Sequence, residues 1–151
     1  MSWAGKHLLP ATLRSLFRHK EQAPSSPMGE LVPHPMQADA NAQVGLCLQN
    51  WVYGKGYRLP DRTPHESAER MGVDFQALHR YCITQLGMDF RSLRTRLRIR
   101  DAQQEMLAEP HTPIIVIARR VGYQDRSNFN KHFRQMTGVL PEVWRKKSLS
   151  F

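Results

Sequence analysis

The strongest constraint on what this chain can fold into is a sentence written twice. Residues 63–87 read "TPHESAERMGVDFQALHRYCITQLG", and residues 112–138 read "TPIIVIARRVGYQDRSNFNKHFRQMTG". Each copy opens on Thr-Pro. A threonine oxygen can cap free backbone N–H groups, and proline fits the first helical position because its missing N–H had no partner to lose. In the first copy Glu66 stands three residues after Thr63 and completes a capping box. An alanine and a glycine four residues apart come next, Ala68 with Gly72 and Ala118 with Gly122. The small alanine lets a second helix come close, while glycine accepts the positive φ that a sharp turn between helices requires. Each unit then closes on a glycine, Gly87 or Gly138.

Two such units predict a pair of helix-turn-helix subdomains. The second helix of the second copy is the more informative. Asp125 is a good N-cap, and Phe129, Phe133 and Met136 fall within one narrow apolar arc at 100° per residue. Arg126, Ser127, Asn130, Lys131 and Arg134 gather on a neighbouring arc that carries no carboxylate. Forked guanidinium donors, an amide and a lysine can pair with base edges in the major groove and with flanking phosphates. In the first copy Phe75, Leu78, Cys82 and Leu86 gather inward after Asp74, leaving Gln76, His79, Arg80 and Thr84 outward. Gln76 and Arg80 suit base or phosphate contacts, and His79 suits a phosphate neighbour. Cys82 takes the place of Phe133 and reads as core packing.

Between the copies runs "DFRSLRTRLRIRDAQQEML". Phe90, Leu93 and Leu97 share one side of this helix, and Ile99, Ala102 and Met106 lie on nearly the opposite side. A helix that changes its apolar face midway is suited to pack on one small domain and then on another, as a strut. Its arginines (Arg91, Arg94, Arg96, Arg98, Arg100) point in several directions. They are expected to be solvated or paired, with one or two in reach of phosphate. Upstream, "ANAQVGLCLQNWVYGKGY" sets Val44, Cys47, Leu48 and Trp51 at three- and four-residue steps, a buried helix face, with Gly54 and Gly56 ending the helix. No stretch alternates convincingly with period two, so the expected fold class is all-α. The expected divisions are a poorly ordered tail and linker at 1–38, a first subdomain at 39–88, a connecting helix at 89–108 and a second subdomain at 109–151. Within the tail, "LLPATLRSLFRHK" has the pattern of a short basic amphipathic helix, followed by a proline-rich linker.

Charge narrows the function. The 151 residues carry a formal net charge of +9, which points to a polyanionic partner. From Asp39 onward eighteen Lys/Arg stand against eleven Asp/Glu, so +7 of that charge belongs to the helical part. No apolar run is long enough to cross a bilayer, and no signal-peptide pattern appears. The two cysteines, Cys47 and Cys82, lack metal spacing, so neither a disulfide framework nor a zinc site is expected and a reducing cytoplasm is the default location. Walker loops, dinucleotide fingerprints and nucleophile elbows are missing as well. The expectation is therefore a protein without catalytic activity, cofactor or metal.

The pieces "LRIRDAQQEML" and "IARRVGYQDRSNFNKHFRQMTGVLPEVWR" closely resemble the AraC/XylS family of bacterial transcription regulators. The later piece carries Ile-Ala, Val-Gly-aromatic, a serine-centred helix with two phenylalanines, and then Gly138, Pro141, Trp144 and Arg145. The resemblance spans roughly residues 42–147, and "WVYGKGY" followed by "LRI" is similar to versions common in Bacteroidales. It implies two helix-turn-helix subdomains on a long helix, reading successive major-groove segments about one helical turn, roughly 10 base pairs, apart. Carried over, the base-reading positions are Gln76, His79 and Arg80, then Arg126, Ser127, Asn130 and Lys131. The first recognition helix departs from the pattern, since Phe75, His79 and Ile83 make it poorer in polar groups. Residues 1–38 are too short and too proline-rich to be the family's usual upstream ligand-binding or dimerising module, so none is expected within this sequence.

The leading expectation is thus a sequence-specific DNA-binding regulator; the resemblance implies an activator that touches RNA polymerase beside the promoter, and repression by blocking stays open. Two alternatives differ in kind. One is an alkylation-repair protein, which would need clustered thiolates that Cys47 and Cys82 do not supply. The other is a degenerate module that acts through protein–protein contact as an anti-activator, for which the face from Arg126 to Arg134 would be dispensable to DNA.

Overall fold

The computed structural model describes residues 35–60 and 63–150. The amphipathic segment and most of the proline-rich linker lie outside these residues. Among those described there are seven α-helices and no strand, as the all-α expectation required.

Helix α1 spans Pro35–Tyr53. It starts within the stretch expected to be extended linker, since proline is tolerated as the first helical residue. Val44, Leu48 and Trp51 are buried, while Cys47 is half-buried. The helix ends at Gly54 as expected, though neither glycine takes the left-handed conformation. The left-handed residue is Lys55, at φ 54°, and Gly56 matters for space. A Cβ there would lie 2.2 Å from Trp51 Cδ1, so only glycine lets the chain fold back over the indole. A single 3-10 turn, Gly56–Arg58, follows and buries Tyr57 against Trp51.

Helix α2, Pro64–Met71, begins with the expected capping box, Thr63 and Glu66 each accepting from the other's backbone N–H. It ends at Gly72, whose φ of 72° no β-carbon would favour. Helix α3, Phe75–Tyr81, is capped by Asp74, which accepts from the Ala77 N–H, and widens into a π-helical turn at Cys82–Leu86. The second copy departs from the first at its entry. Helix α5, Ile114–Arg120, has Pro113 before it and no side-chain cap. Thr112 is occupied elsewhere: its hydroxyl donates to Glu109 at 2.7 Å, and its carbonyl accepts from Arg145 at 2.6 Å. Helix α6, Arg126–Thr137, is capped by Asp125 as expected. Helix α7, Pro141–Leu149, closes the unit.

Joining the two is α4, Phe90–Ala108, nineteen residues and therefore about 28 Å long. Phe90, Leu93 and Leu97 belong to a first core with Leu48, Trp51, Leu78 and Cys82. Ile99, Ala102 and Met106 belong to a second with Ile117, Ala118, Phe129 and Phe133. The change of face seen in the sequence is thus a change of core. Burying side chains of this size stabilises by about 1.5–3 kcal/mol each, so each unit holds its own half of one rod. Among the described residues no helix is long and apolar enough to cross a membrane.

Candidate nucleic-acid interface

On α3 the three carried-over residues, Gln76, His79 and Arg80, are all exposed, over a floor of buried Leu78, Tyr81 and Cys82. Phe75 is partly buried against the first core, and His65 of α2 stacks on its ring at 3.8 Å between centroids. His79 flanks the other edge of Phe75 at 6.1 Å. The surface of this helix therefore joins the rings of His65, Phe75 and His79 to exposed Gln76 and Arg80, and is poorer in hydrogen-bonding groups than the second. Burial pushes the Cys82 thiol up to about 12, so it stays protonated and apolar in the core. Among the described residues no cluster of His, Cys, Asp and Glu could hold a metal ion.

On α6, Phe129 and Phe133 are fully buried, and Arg126, Ser127, Lys131 and Arg134 are exposed together. Three details differ from the sequence reading. Met136 is 42% exposed, since the last turn runs past the second core. Asn130 is half-buried, with its Oδ1 enclosed and lacking a hydrogen-bond partner. Arg126 is ion-paired to Glu142 at the start of α7. The helix itself carries no carboxylate on this face, but the next one supplies it.

Beside α6 opens a groove of about 1060 Å³, floored by the first half of α4 and lined by Arg91, Arg94, Arg98, Tyr123, Asn128 and His132. The arginines of α4, expected to point in several directions, here include Arg91, Arg94, Arg96 and Arg98 along this one groove. Arg94 is also tied to the first subdomain, its guanidinium donating to Ser67 Oγ of α2 at 3.4 Å. His132 shares a 2.9 Å hydrogen bond with the Tyr123 hydroxyl. Its own burial, then the charges of Lys131 and Arg98, hold its pKa below the ordinary histidine value, so the imidazole stays neutral near pH 7. Burial pushes the Tyr123 phenol up to about 12.

Two helix pairs with capped, polar second helices match a family profile described as "Helix-turn-helix domain", of the AraC type, across residues 67–147. The chain belongs to the AraC-type helix-turn-helix family. It is a DNA-binding transcription regulator. The AraC-type fold is also seen in the C-terminal domain of AraT, a response regulator from Geobacillus stearothermophilus. That domain is 28% identical, covers 77% of this chain and 88% of its own length, and superposes with a TM-score of 0.57. A Listeria innocua protein of unknown function, 22% identical over 66% of this chain and 94% of its own, shares the fold at a TM-score of 0.56. Among curated proteins none matches significantly. In AraC-type terms, Gly138, Pro141, Trp144 and Arg145 act as structure. Trp144 packs edge-on to Phe133 at 5.9 Å, and Arg145 ties α7 back to the entry of α5 through Thr112.

Proposed function

We propose that this regulator is a sequence-specific activator that reads two adjacent major-groove segments of double-stranded DNA and contacts RNA polymerase beside the promoter. It works in the cytoplasm, on nucleoid DNA, without catalysis or cofactor. Gln76, His79 and Arg80 face one groove; Arg126, Ser127, Asn130, Lys131 and Arg134 face the next. The single observation that carries the reading is the exposed row on α6, where Arg126, Ser127, Lys131 and Arg134 stand over the buried Phe129 and Phe133. A guanidinium paired bidentately with guanine discriminates by about 1–3 kcal/mol, so Arg126 is the strongest single candidate for specificity. The Glu142 contact must then be exchanged for a base or shared with it.

The Arg126–Glu142 pair and the enclosed Asn130 oxygen favour a second reading, in which this face binds no DNA and the chain is an anti-activator that works by protein contact. Selection of bound sequences from random duplexes separates the two. The DNA reading expects Arg126→Ala and Asn130→Ala each to relax preference at one base position. Lys131→Ala should weaken all sequences evenly, as a lost phosphate contact does. Unchanged affinity and unchanged preference in both alanine variants would support the anti-activator.

A further inference from the structure

Arg98 stands where α4 passes from one core to the other, and it is buried at 8% exposure. Its Nε donates to the Tyr57 carbonyl at 2.6 Å and its Nη2 to the Leu59 carbonyl at 2.8 Å. The same guanidinium lies over the Tyr123 ring, 5.6 Å from its centroid. Tyr57 belongs to the first core, edge-on to Trp51 at 6.1 Å. Tyr123 belongs to the second, edge-on to Phe129 of α6 at 5.2 Å. One cation therefore grips the 3-10 turn of the first subdomain and the inter-helix turn of the second.

The fit leaves no slack. A Cβ on Gly122, whose φ is 111°, would lie 2.8 Å from Arg98 Nε and 2.9 Å from the Arg58 carbonyl oxygen. Gly72, the equivalent glycine of the first copy, has nothing within 4 Å of its would-be Cβ. The first glycine thus answers only to backbone conformation, the second also to a neighbour from the other subdomain. Around this contact runs a layer of ion pairs. Arg58 meets Asp101 at 2.6 Å and Glu105 at 3.0 Å, and Arg120 of α5 meets Glu105 and Glu109, each at 2.9 Å. Burial alone would raise the Asp101 carboxyl. The hydrogen bonds and charge of Arg58, helped by Tyr57 and Lys55, outweigh it and hold the group below its ordinary value.

We propose that Arg98, with Gly122 against it, is a positioning residue that sets the distance and rotation between the two reading heads, making recognition selective for half-site spacing. This rests on the two-groove reading above. Each base pair inserted between half-sites carries the second one about 3.4 Å further and turns it by roughly 35°. A helix alone lets each small unit rock on it; the Arg98 contact ties the units to each other and removes that freedom.

The test uses the full chain and the duplex selected by it, with the spacing altered by one base pair either way, for the wild type, Arg98→Met and Arg58→Gln. The wild type should lose about tenfold in affinity per altered base pair, and Arg98→Met about threefold or less, with base preferences inside each half-site kept. Arg98→Met leaves two carbonyls without their donor, so its helical signal is checked first. If it does not fold, Arg58→Gln carries the same comparison from the outer layer, and an unchanged spacing penalty there overturns the proposal. Equal weakening at every spacing marks a merely stabilising role and also overturns it. A wild type that protects both half-sites yet tolerates altered spacing sinks this inference alone; one that protects a single half-site sinks the two-groove reading with it.

Discussion

At Gly56 a hydrogen atom marks the difference between a packed turn and a collision. Alanine there would put a methyl group 2.2 Å from Trp51 Cδ1 and 2.3 Å from its Nε1. Overpacking of this kind costs about 1–3 kcal/mol, so Gly56→Ala should lower the urea midpoint by that equivalent. Gly54→Ala, whose nearest contact is the Asn50 carbonyl oxygen at 3.3 Å, should shift it by about 1 kcal/mol or less. In the sequence the two glycines look alike, because the difference depends on where the indole sits. Asn130 shows the same boundary. Helical spacing puts it on the polar arc, yet it stands only roughly 60° round the helix from Phe133, near enough to the core for its carbonyl to be covered. That enclosed oxygen makes Asn130→Ala a clean probe. Removing an unsatisfied polar atom offsets part of the lost packing, and the variant should unfold within about 0.5 kcal/mol of the wild type while its base preference changes.

Among the helices, what the sequence shows best is whatever depends on residues a turn or two apart. The N-cap at Asp125 and the capping box at Thr63 are of this kind, and both form. The face change of α4 is another, since Phe90, Leu93 and Leu97 are separated from Ile99, Ala102 and Met106 by spacing alone. Thr112 marks where this stops. It has the local signature of a cap, but Glu109 and Arg145 claim its oxygens, and Arg145 lies 33 residues away along the chain. The two threonines should therefore respond differently to truncation. Thr63→Ala should cost about 1 kcal/mol of stability, as a lost N-cap does. Thr112→Ala, which removes one exposed hydrogen bond and no cap, should cost about 0.5 kcal/mol or less, both read from urea unfolding. The π-helical turn at Cys82–Leu86 has no signature in residue pattern, and neither has the Arg98 contact. The partners of Arg98 stand 41 and 39 residues away, beyond the reach of periodicity.

Over the whole molecule, fold class and family were legible because two copies of one motif, fifty positions apart at Gly72 and Gly122, leave few arrangements of a chain this short. Outward residues on α3 and α6 were legible too, Asn130 excepted, since exposure largely follows helical phase. What was hidden is how the units sit on one another, which is decided by Arg58, Arg98, Asp101 and Gly122 meeting across the rod. Net charge points to a polyanionic partner from the sequence alone, and the fold adds where that charge sits. Helix α1 holds a single charged residue, Asp39, whereas α4 and α6 carry arginines and a lysine. Binding should accordingly weaken with salt, with log affinity falling by about 0.9 per phosphate neutralised for each unit of log salt. Recognition by this chain requires both subdomains to lie on one duplex together, and the extent of DNA protected by the bound chain tests this most directly. A selected, preferred sequence protected over about 20 base pairs, two helical turns, is the result expected. Protection of about one turn, or no preference among duplexes at moderate salt, would contradict it.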